Sequence, residues 1–506
     1  MAIGTLPRAV VVIDGEHYPP VVAAALDGLR RRYEIVAGLF AGGREKLRAA
    51  PSSGPGQGPS RVAAGPGPAV SGLAAELGLP RLDAVEPRTD AVAALLDAVR
   101  VTLRQTGAEA LVDLSDEPVI GYRERFLLMS AALAEGARYV AADTEVRPQE
   151  FARLESVASL AVIGTGKRVG KTAVSGWLAR RLDGRYRARG GVLVVAMGRG
   201  GPPEPELVSG ADGVGPAELL EASRRGRHAA SDCYEDAALA GVAAIGCRRC
   251  GGGLAGAPFD DNVRAALPLV ERSGAALAVI EGSGAVVPPV RADATVCVAG
   301  AGQDHDYVTG YLGTYRLLLS DALVLTQCEP PFADAAATAA LVAAAHAVRP
   351  ELDVVTTVFR PRPVQSVRGR RVAFFTTAPE AVVPRLAQSL AEDRGADVVL
   401  VSADLADRGK LAPAVARAAR EADVFLTEIK AAAVDVVAEA AAAAGRELVF
   451  CDNEPVAVEG DLGALVDKLA GLAAERFAAR VGRSWHRLAG DRPEHRPAAG
   501  TGRGTA

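Results

Sequence analysis

The segment from Gly164 to Thr172 (GTGKRVGKT) contains the residue types of a phosphate-binding loop. A short apolar run precedes it and a helical stretch begins at Lys171, which is the context that a Walker A motif requires. Glycines allow backbone N–H groups to surround phosphate oxygens, while Lys171 would reach the β and γ phosphates and the Thr172 hydroxyl would bind Mg²⁺. We therefore predict ATP and Mg²⁺ as cofactors. The predicted nucleotide-binding residues are Gly164, Thr165, Gly166, Lys167, Arg168, Val169, Gly170, Lys171 and Thr172.

The spacing of this loop differs from the usual pattern G-x-x-x-x-G-K-[ST]. Thr165 occupies the position six residues before Lys171, and the glycine lies one residue earlier, at Gly164. A glycine-rich turn that binds no ligand is the alternative interpretation. We favour nucleotide binding because a lysine and a threonine both stand where it requires them.

Lysine is rare in this chain, since only six of the 57 basic residues are lysines, and two of these lie in the loop. Because arginine fills most basic positions, the retained lysines are candidates for functions that need a compact ammonium group. We predict Lys167 and Lys171 as catalytic residues. Lys167 would be a second cation directed at the transferred phosphoryl group, or else a solvated loop residue.

Two other predicted strands of this region end in polar residues. The run Ala278-Val-Ile-Glu-Gly-Ser-Gly284 places Glu281 at the carboxyl end of a strand, where it could hold Mg²⁺ directly or through water. The alternative is an acidic residue that only ends a strand at a turn. After another strand, Arg199 is a predicted anion ligand and Glu204 a possible second acid of the metal site. We therefore predict Thr172 and Glu281 as metal ligands.

The motif Cys247-Arg-Arg-Cys250 suggests zinc, but a structural zinc site needs four ligands, and no second pair with suitable spacing exists in the sequence. We interpret Arg248 and Arg249, followed by several glycines, as a backbone nest with guanidinium support for an anion. A flexible turn with solvated arginines is the alternative.

Further candidate substrate-binding residues lie far from the loop. Asp14, Glu16 and His17 follow the first predicted strand, and the acidic run Asp113 to Glu117 follows another, on the same edge if the sheet is parallel. For these clusters, function and a purely structural role are both left open. Lys430, in Thr427-Glu-Ile-Lys430, is either a substrate ligand or a surface lysine. The predicted substrate-binding residues are thus Asp14, Glu16, His17, Arg199, Arg248, Arg249 and Lys430.

Apolar β-branched runs alternate with helical stretches along the chain, which predicts an α/β, multidomain fold with parallel sheets, crossover helices and a central P-loop NTPase domain. We predict four parts. These are an N-terminal α/β domain (1–150) with a disordered insertion (51–68), the P-loop domain (151–365), a C-terminal α/β region packed on the core (366–482) and a disordered tail (483–506).

Bulk properties limit the function classes. The net charge is −4 and the charges are scattered, so no basic field for nucleic acid or an anionic membrane is present. The N-terminus lacks the features of a signal peptide, no apolar run is long enough to span a bilayer, and the six cysteines form no disulfide framework. We expect a soluble, cytoplasmic protein that binds neither nucleic acid nor membrane.

Four motifs together resemble the cyclic 2,3-diphosphoglycerate synthetase family, from about residue 10 to about residue 480. They are Ile13-Asp-Gly-Glu-His-Tyr-Pro-Pro20, the loop Gly164 to Thr172, the segment Cys247 to Gly256, and Thr427-Glu-Ile-Lys-Ala-Ala-Ala-Val434. The loop itself also resembles that of dethiobiotin synthetase. The resemblance implies a cytoplasmic homodimeric ligase that uses ATP and Mg²⁺ to close an intramolecular phosphoanhydride in 2,3-bisphosphoglycerate, a small anionic phosphorylated substrate.

Two other functions fit the same loop. A kinase that makes 2,3-bisphosphoglycerate from 2-phosphoglycerate would need the same phosphate-binding residues. A regulatory ATPase would need a partner surface or a membrane-targeting helix, and the sequence shows neither.

Overall fold

The structure is a computed structural model that describes residues 5–43, 68–85, 92–210, 214–215, 218–219, 221, 232–429 and 434–482. Of the predicted insertion only Pro68 falls within these ranges, and the predicted tail lies outside them. Lys430 also lies outside the described residues.

The N-terminal part contains a six-stranded sheet in the order β3-β2-β1-β4-β5-β6, in which every pair except β5–β6 is parallel. Strand β1 is buried after its first residue, because helices cover both faces of the sheet and only apolar side chains fit there. The strands are β1 (Arg8–Ile13), β2 (Glu34–Phe40), β3 (Leu82–Ala84), β4 (Ala110–Asp113), β5 (Arg138–Val140) and β6 (Glu145–Val146). The helices are α1 (Pro19–Leu29), α2 (Pro68–Glu76), α3 (Val92–Thr106) and α4 (Tyr122–Ala134).

A second sheet, of 13 strands, contains all the strands of the rest of the described chain. Its path is β11-β10-β8-β12-β7-β13-β14-β15-β19-β18-β16-β17, with β9 paired beside β10. The first nine of its strands along the chain are β7 (Ala158–Gly164), β8 (Val192–Gly198), β9 (Glu206–Val208), β10 (Ala243–Cys250), β11 (Asp260–Asp261), β12 (Leu277–Glu281), β13 (Ala294–Gly300), β14 (Ala322–Thr326) and β15 (Asp353–Pro363). The last four are β16 (Arg371–Phe375), β17 (Asp397–Ser402), β18 (Val424–Thr427) and β19 (Glu447–Glu459).

Helices alternate with these strands, as the sequence predicted for an α/β fold with crossover connections. Continuous apolar strands such as β7, which is buried along its whole length, are typical of parallel sheets that are covered on both faces. The helices are α5 (Lys171–Tyr186), α6 (Asp232–Glu235), α7 (Val263–Arg272), α8 (His305–Val308), α9 (Gly313–Leu319), α10 (Ala335–Val348), α11 (Val383–Glu392), α12 (Arg408–Glu421), α13 (Val434–Ala443) and α14 (Leu462–Val481). A π-helical turn, Asp236–Ala240, continues α6.

The direction of the sheet reverses at the pair β15–β19. Strand β19 runs parallel to β18 through Phe450 and antiparallel to β15 from Cys451 onward, so β16, β17 and β18 run opposite to the strands around β7. Pro363 pairs with Cys451 near the end of β18, whereas Leu325 of β14 pairs with Thr356. The carboxyl ends of the two strand groups therefore face each other along β15, separated by roughly 20 Å.

The N-terminal sheet packs on the large sheet through helices. One apolar core joins α3 and α4 to α9, α10 and the large sheet, and the Phe126 ring meets the Tyr311 ring edge-on with centroids 5.4 Å apart. Helix α14 covers the opposite face, where Arg480 Nη2 lies 3.2 Å from the buried Asp293 carboxylate. Among the described residues, no helix combines the length and the hydropathy needed to cross a bilayer.

Candidate active site

At two positions, the backbone of the phosphate loop has no room for a residue other than glycine. A Cβ on Gly164 would lie 2.7 Å from Lys171 Cδ and 2.9 Å from the Val298 carbonyl oxygen. Gly170 has φ of +82° at the N-cap of α5, and a Cβ there would lie 2.2 Å from the Phe359 ring. The loop is therefore shaped by close contacts with β13 and β15 as well as by its own sequence.

The loop side chains differ in their exposure. Lys171 is 8% exposed, and its Nζ donates to the Gly166 carbonyl oxygen at 2.6 Å. Thr172 is half-buried in the first turn of α5, whereas Lys167 and Arg168 are exposed. An exposed ammonium at Lys167 and a buried one at Lys171 place two cations on one loop, as the predicted catalytic roles require.

Three polar side chains that we did not predict from the sequence hold this loop. Gln303, after β13, accepts the Thr165 hydroxyl through Oε1 at 2.6 Å. Thr326, the last residue of β14, donates from Oγ1 to the Val169 carbonyl oxygen at 2.8 Å, and Gln327 Nε2 donates to the Arg168 carbonyl oxygen at 3.3 Å. Their shared sequence signal is a polar residue at or just after the carboxyl end of an apolar strand, where a parallel sheet places its ligand site.

Glu281 lies one strand away from the phosphate loop. It ends β12, which runs between β7 and β8, and it pairs with Val162 on one side and with Ala196 on the other. Its carboxylate is 3% exposed. The structure thus brings Glu281 to the edge of the sheet that also carries the loop, as the sequence predicted.

The chain turns back directly after Glu281 in a two-residue hairpin, in which Ser283 and Val286 exchange backbone hydrogen bonds of 3.2 and 3.0 Å. Arg249 Nη2 donates to the Ser283 carbonyl oxygen at 2.9 Å. Arg316, another residue not predicted from the sequence, donates to the Ala285 carbonyl oxygen from Nη2 at 2.6 Å and from Nε at 3.0 Å. Two buried arginines therefore fix this turn.

Arg199 reaches the same turn from the end of β8. Its Nη2 and that of Arg249 lie 3.3 and 3.4 Å from the position that a Cβ on Gly284 would occupy. Burial, and to a smaller extent the neighbouring charge of Arg199, lowers the pKa of the Arg249 guanidinium. Glu204, which the sequence suggested as a second acid of the metal site, is exposed in the loop after β8.

The alternative of a flexible turn does not hold for Cys247 to Cys250, because these residues form the end of β10. Successive side chains of a strand point to opposite faces of the sheet. Cys247 and Arg249 are accordingly buried, whereas Arg248 and Cys250 are exposed. The structure therefore pairs Arg249 with Arg199 and does not place Arg248 beside Arg249 in a shared nest.

The N-terminal candidates divide into one structural residue and two more exposed ones. Asp14 is 2% exposed, and its carboxylate accepts the backbone N–H groups of Glu16 at 3.0 Å and Asp116 at 2.6 Å. His17 Nδ1 lies 2.8 Å from the same carboxylate. The Asp14 carboxylate therefore positions the turn and the half-exposed His17 ring.

The acidic run that follows β4 is also structural at its first residue. Asp113 is buried, and its carboxylate accepts the Tyr139 hydroxyl at 2.6 Å and the Ser115 backbone N–H at 2.9 Å. Burial, together with the Asp113 charge, raises the pKa of Tyr139 above its usual range. Because both carboxylate oxygens serve the protein, Asp113 fixes the loop that follows β4.

The motif around Lys430 is described up to Ile429. Its buried Glu428 accepts Thr376 Oγ1 at 2.7 Å, Thr377 Oγ1 at 2.8 Å and Asn453 Nδ2 at 3.1 Å. Glu428 is therefore satisfied within the C-terminal strands. Ile429 packs against Leu239, Leu219 and Phe450, which brings this edge against the P-loop domain.

Comparisons with known proteins identify the family of this chain. Three models of cyclic 2,3-diphosphoglycerate synthetase match the chain: the N-terminal domain at residues 8–62 and 75–147, the P-loop domain at 159–358 and the C-terminal domain at 363–454. The chain belongs to the cyclic 2,3-diphosphoglycerate synthetase family. This confirms the resemblance that the four sequence motifs indicated.

Three relatives that carry the name cyclic 2,3-diphosphoglycerate synthetase match this chain over nearly their whole length. One from Rubrobacter xylanophilus is 51% identical over 91% of this chain and 96% of its own. One from Methanothermus fervidus is 37% identical over 92% of this chain and 97% of its own. One from Thermococcus gammatolerans is 40% identical over 89% of this chain and 94% of its own.

Proposed function

We propose that this chain is an ATP-dependent ligase that closes the intramolecular phosphoanhydride of cyclic 2,3-diphosphoglycerate from 2,3-bisphosphoglycerate, releasing ADP and phosphate. The observation that carries the proposal is the phosphate loop, with buried Lys171, in a chain that belongs to this synthetase family. The family match supports ring closure and lends no support to the kinase or the regulatory ATPase.

The reaction proceeds in two displacements. An oxygen of one substrate phosphate attacks the γ-phosphorus of ATP, so that a new P–O bond forms while the bond to the β-phosphate oxygen breaks and ADP leaves. An oxygen of the other substrate phosphate then attacks the activated substrate phosphorus, which closes the ring and expels inorganic phosphate. Both displacements concentrate negative charge, so catalysis depends on positioned cations and N–H donors.

Lys171 and Lys167 have distinct roles in this scheme. Lys171 lies under the loop with its ammonium against the Gly166 carbonyl, and it would bind the β and γ phosphate oxygens of ATP. Lys167 is exposed on the same loop and would stabilise the phosphoryl group during transfer. The remaining loop residues would bind phosphate through backbone N–H groups.

Mg²⁺ fits the oxygen donors at this edge of the sheet. The Thr172 hydroxyl in the first turn of α5 and the buried Glu281 carboxylate are hard ligands of the type that Mg²⁺ prefers, and nucleotide phosphates and water would supply the others. The ion would neutralise charge on the phosphates. The preference is for Mg²⁺ because neither thiolate nor imidazole belongs to this pair of ligands.

The substrate would be held by groups outside the phosphate loop. Arg199 and Arg249 face each other at the turn after Glu281, and Glu16 and His17 follow β1 of the N-terminal sheet. Lys430 follows β18, whose carboxyl end points toward the P-loop domain. We propose all five as substrate-binding residues, and Arg199 and Arg249 lie at the turn that follows β12.

The protein is further proposed to act in the cytoplasm as a homodimer, which the resemblance to this family supports. Sedimentation equilibrium on the full chain should give twice the chain mass of 51.9 kDa. A monomer over the micromolar range would contradict the dimer.

The test of the reaction is phosphorus NMR of the purified chain with Mg²⁺, ATP and 2,3-bisphosphoglycerate. We expect a new phosphoanhydride resonance, together with ADP and inorganic phosphate in equal amounts. Lys171→Ala should lower turnover by about 10³-fold or more, because a preorganised cation at the transferred phosphate is lost, while the melting temperature stays close to wild type. Phosphorylation of 2-phosphoglycerate without cyclic product would overturn the proposal.

A further inference from the structure

The turn that follows Glu281 carries backbone donors that no group in the described part of the chain uses. Val286 and Ser283 close the hairpin, and Gly284 has φ of +64°. Among the described residues, neither the Gly284 nor the Ala285 backbone N–H donates to an acceptor. Free N–H groups at a tight turn with a left-handed residue are a common anion-binding arrangement.

Two guanidinium groups flank this turn and bring like charges together. Arg199 and Arg249 both approach the Gly284 position within 3.4 Å, and a β-carbon there would crowd both. Arg249 is 9% exposed, and its Nε is buried without an acceptor among the described residues. Asp232 offsets only part of this charge. Its carboxylate raises the pKa of Arg249, but less strongly than burial and Arg199 lower it.

This arrangement is fixed before any ligand binds. Arg249 Nη1 donates to the Gly251 carbonyl at 2.8 Å and its Nη2 to the Ser283 carbonyl, while Arg316 donates to the Ala285 carbonyl of the turn. Repulsion between two adjacent cations costs free energy unless an anion lies between them, and guanidinium groups bind phosphate oxygens in a bidentate manner. The geometry favours a compact, highly charged anion.

We propose that the turn Ser283–Val286, Arg199 and Arg249 bind one phosphate group of the phosphoglycerate substrate, at a subsite separate from the phosphate loop. The identity of the ligand rests on the proposed function. The subsite follows β12, which is hydrogen-bonded to β7, so a phosphate there lies on the edge of the sheet that carries the nucleotide. The second substrate phosphate would then extend toward the loop.

The test is calorimetric titration of 2,3-bisphosphoglycerate into the full chain without nucleotide, at fixed ionic strength. We expect Arg199→Ala to weaken binding by about 10- to 100-fold, because a charge-assisted hydrogen bond to phosphate is lost. Arg249→Lys, which keeps the charge but not the bidentate geometry, should weaken it by about tenfold. The matched control is Arg272→Ala, an exposed arginine at the end of α7.

Binding of a non-hydrolysable ATP analogue is measured in the same variants and should change less than about twofold. The inference is overturned if the wild type does not bind 2,3-bisphosphoglycerate, or if Arg199→Ala binds it as tightly as Arg272→Ala does. It is also overturned if Arg199→Ala weakens the binding of 2,3-bisphosphoglycerate and of the ATP analogue equally. Tight, Arg199-dependent binding without any cyclic product in the NMR experiment would leave the subsite standing and refute the ring closure.

Discussion

At the scale of single residues, the phosphate loop depends on side chains from neighbouring strands. Gln303 Oε1 accepts both the Thr165 hydroxyl and, at 2.9 Å, the Gly300 backbone N–H, so its amide orientation is fixed. Its Nε2 lies 2.9 Å from the position that a Cβ on Gly166 would occupy. Gln303 is therefore a positioning residue that sets the first half of the loop.

Substitution of Gln303 tests this role through kinetics. Gln303→Leu should raise the KM for ATP by about tenfold and lower kcat, because Thr165 loses its acceptor and the loop is no longer preorganised. Thr165→Val should have a similar effect, and the double variant should lose much less than the two losses combined. Steady-state kinetics of ADP formation in the presence of 2,3-bisphosphoglycerate measures all three variants.

Gln388→Leu is the control for Gln303→Leu, because Gln388 lies exposed on α11 and bonds only to Glu392 among the described residues. Thr165→Ser keeps the hydroxyl and should restore the KM toward wild type. Equal kinetics for Gln303→Leu and Gln388→Leu would show that Gln303 does not position the loop.

At the scale of secondary structure, the alternation of β10 decides which residues enter the site. Arg249 points toward the turn after Glu281, whereas its neighbours Arg248 and Cys250 are exposed. Cys247 lies on the same buried face as Arg249, and burial raises the pKa of its thiol to about 12. The two cysteines of the motif therefore cannot converge on one metal ion while the strand is formed.

Cysteine alkylation at pH 8 tests this alternation. Because its pKa of about 12 lies far above the reaction pH, Cys247 is almost entirely a neutral thiol, and only the thiolate reacts. We expect iodoacetamide to modify exposed Cys250 at least about tenfold faster than Cys247, as measured by peptide mass spectrometry over time. Denaturation in urea should abolish the difference. Equal rates in the folded chain would contradict the assignment of these residues to a strand.

At the scale of the whole molecule, the reversal at β15–β19 turns the C-terminal strands toward the nucleotide. Asp452 of β19 is 4% exposed and accepts Arg180 of α5 at 3.0 Å and Arg362 of β15 at 3.1 Å. One carboxylate therefore ties the helix that begins in the phosphate loop to the C-terminal region. The contact adds to the backbone pairing of β15 with β19, which places the two sets of carboxyl strand ends opposite each other.

Removal of the Asp452 carboxylate should weaken the contact between α5 and the C-terminal strands. Asp452→Ala leaves Arg180 and Arg362 without their shared acceptor, so we expect a loss of about 1 to 3 kcal/mol in the free energy of unfolding. The control is Glu447→Ala, whose exposed pair with Arg370 should contribute less than about 0.5 kcal/mol. Urea denaturation compares the two midpoints. A larger loss for Glu447→Ala would contradict the role of Asp452.

The sequence by itself determined the fold class and the phosphate loop. These features depend on local patterns, namely apolar runs of strand length, helical periodicity, and a lysine and a threonine at fixed spacing after glycine. The position of Glu281 at the end of a buried strand was also predictable, because an apolar run of strand length precedes it.

Only the tertiary structure decided which distant residues share the site. Gln303 contacts the phosphate loop, whereas Arg316 and Arg199 contact the turn after Glu281. They come from separate connections between strands, and no local sequence pattern predicts these contacts. The burial of Asp14 and the separation of Arg248 from Arg249 depend on strand pairing, which fixes the face that each side chain occupies. Residue types are local properties of the sequence, whereas proximity and burial arise from the packing of strands that are far apart in the chain.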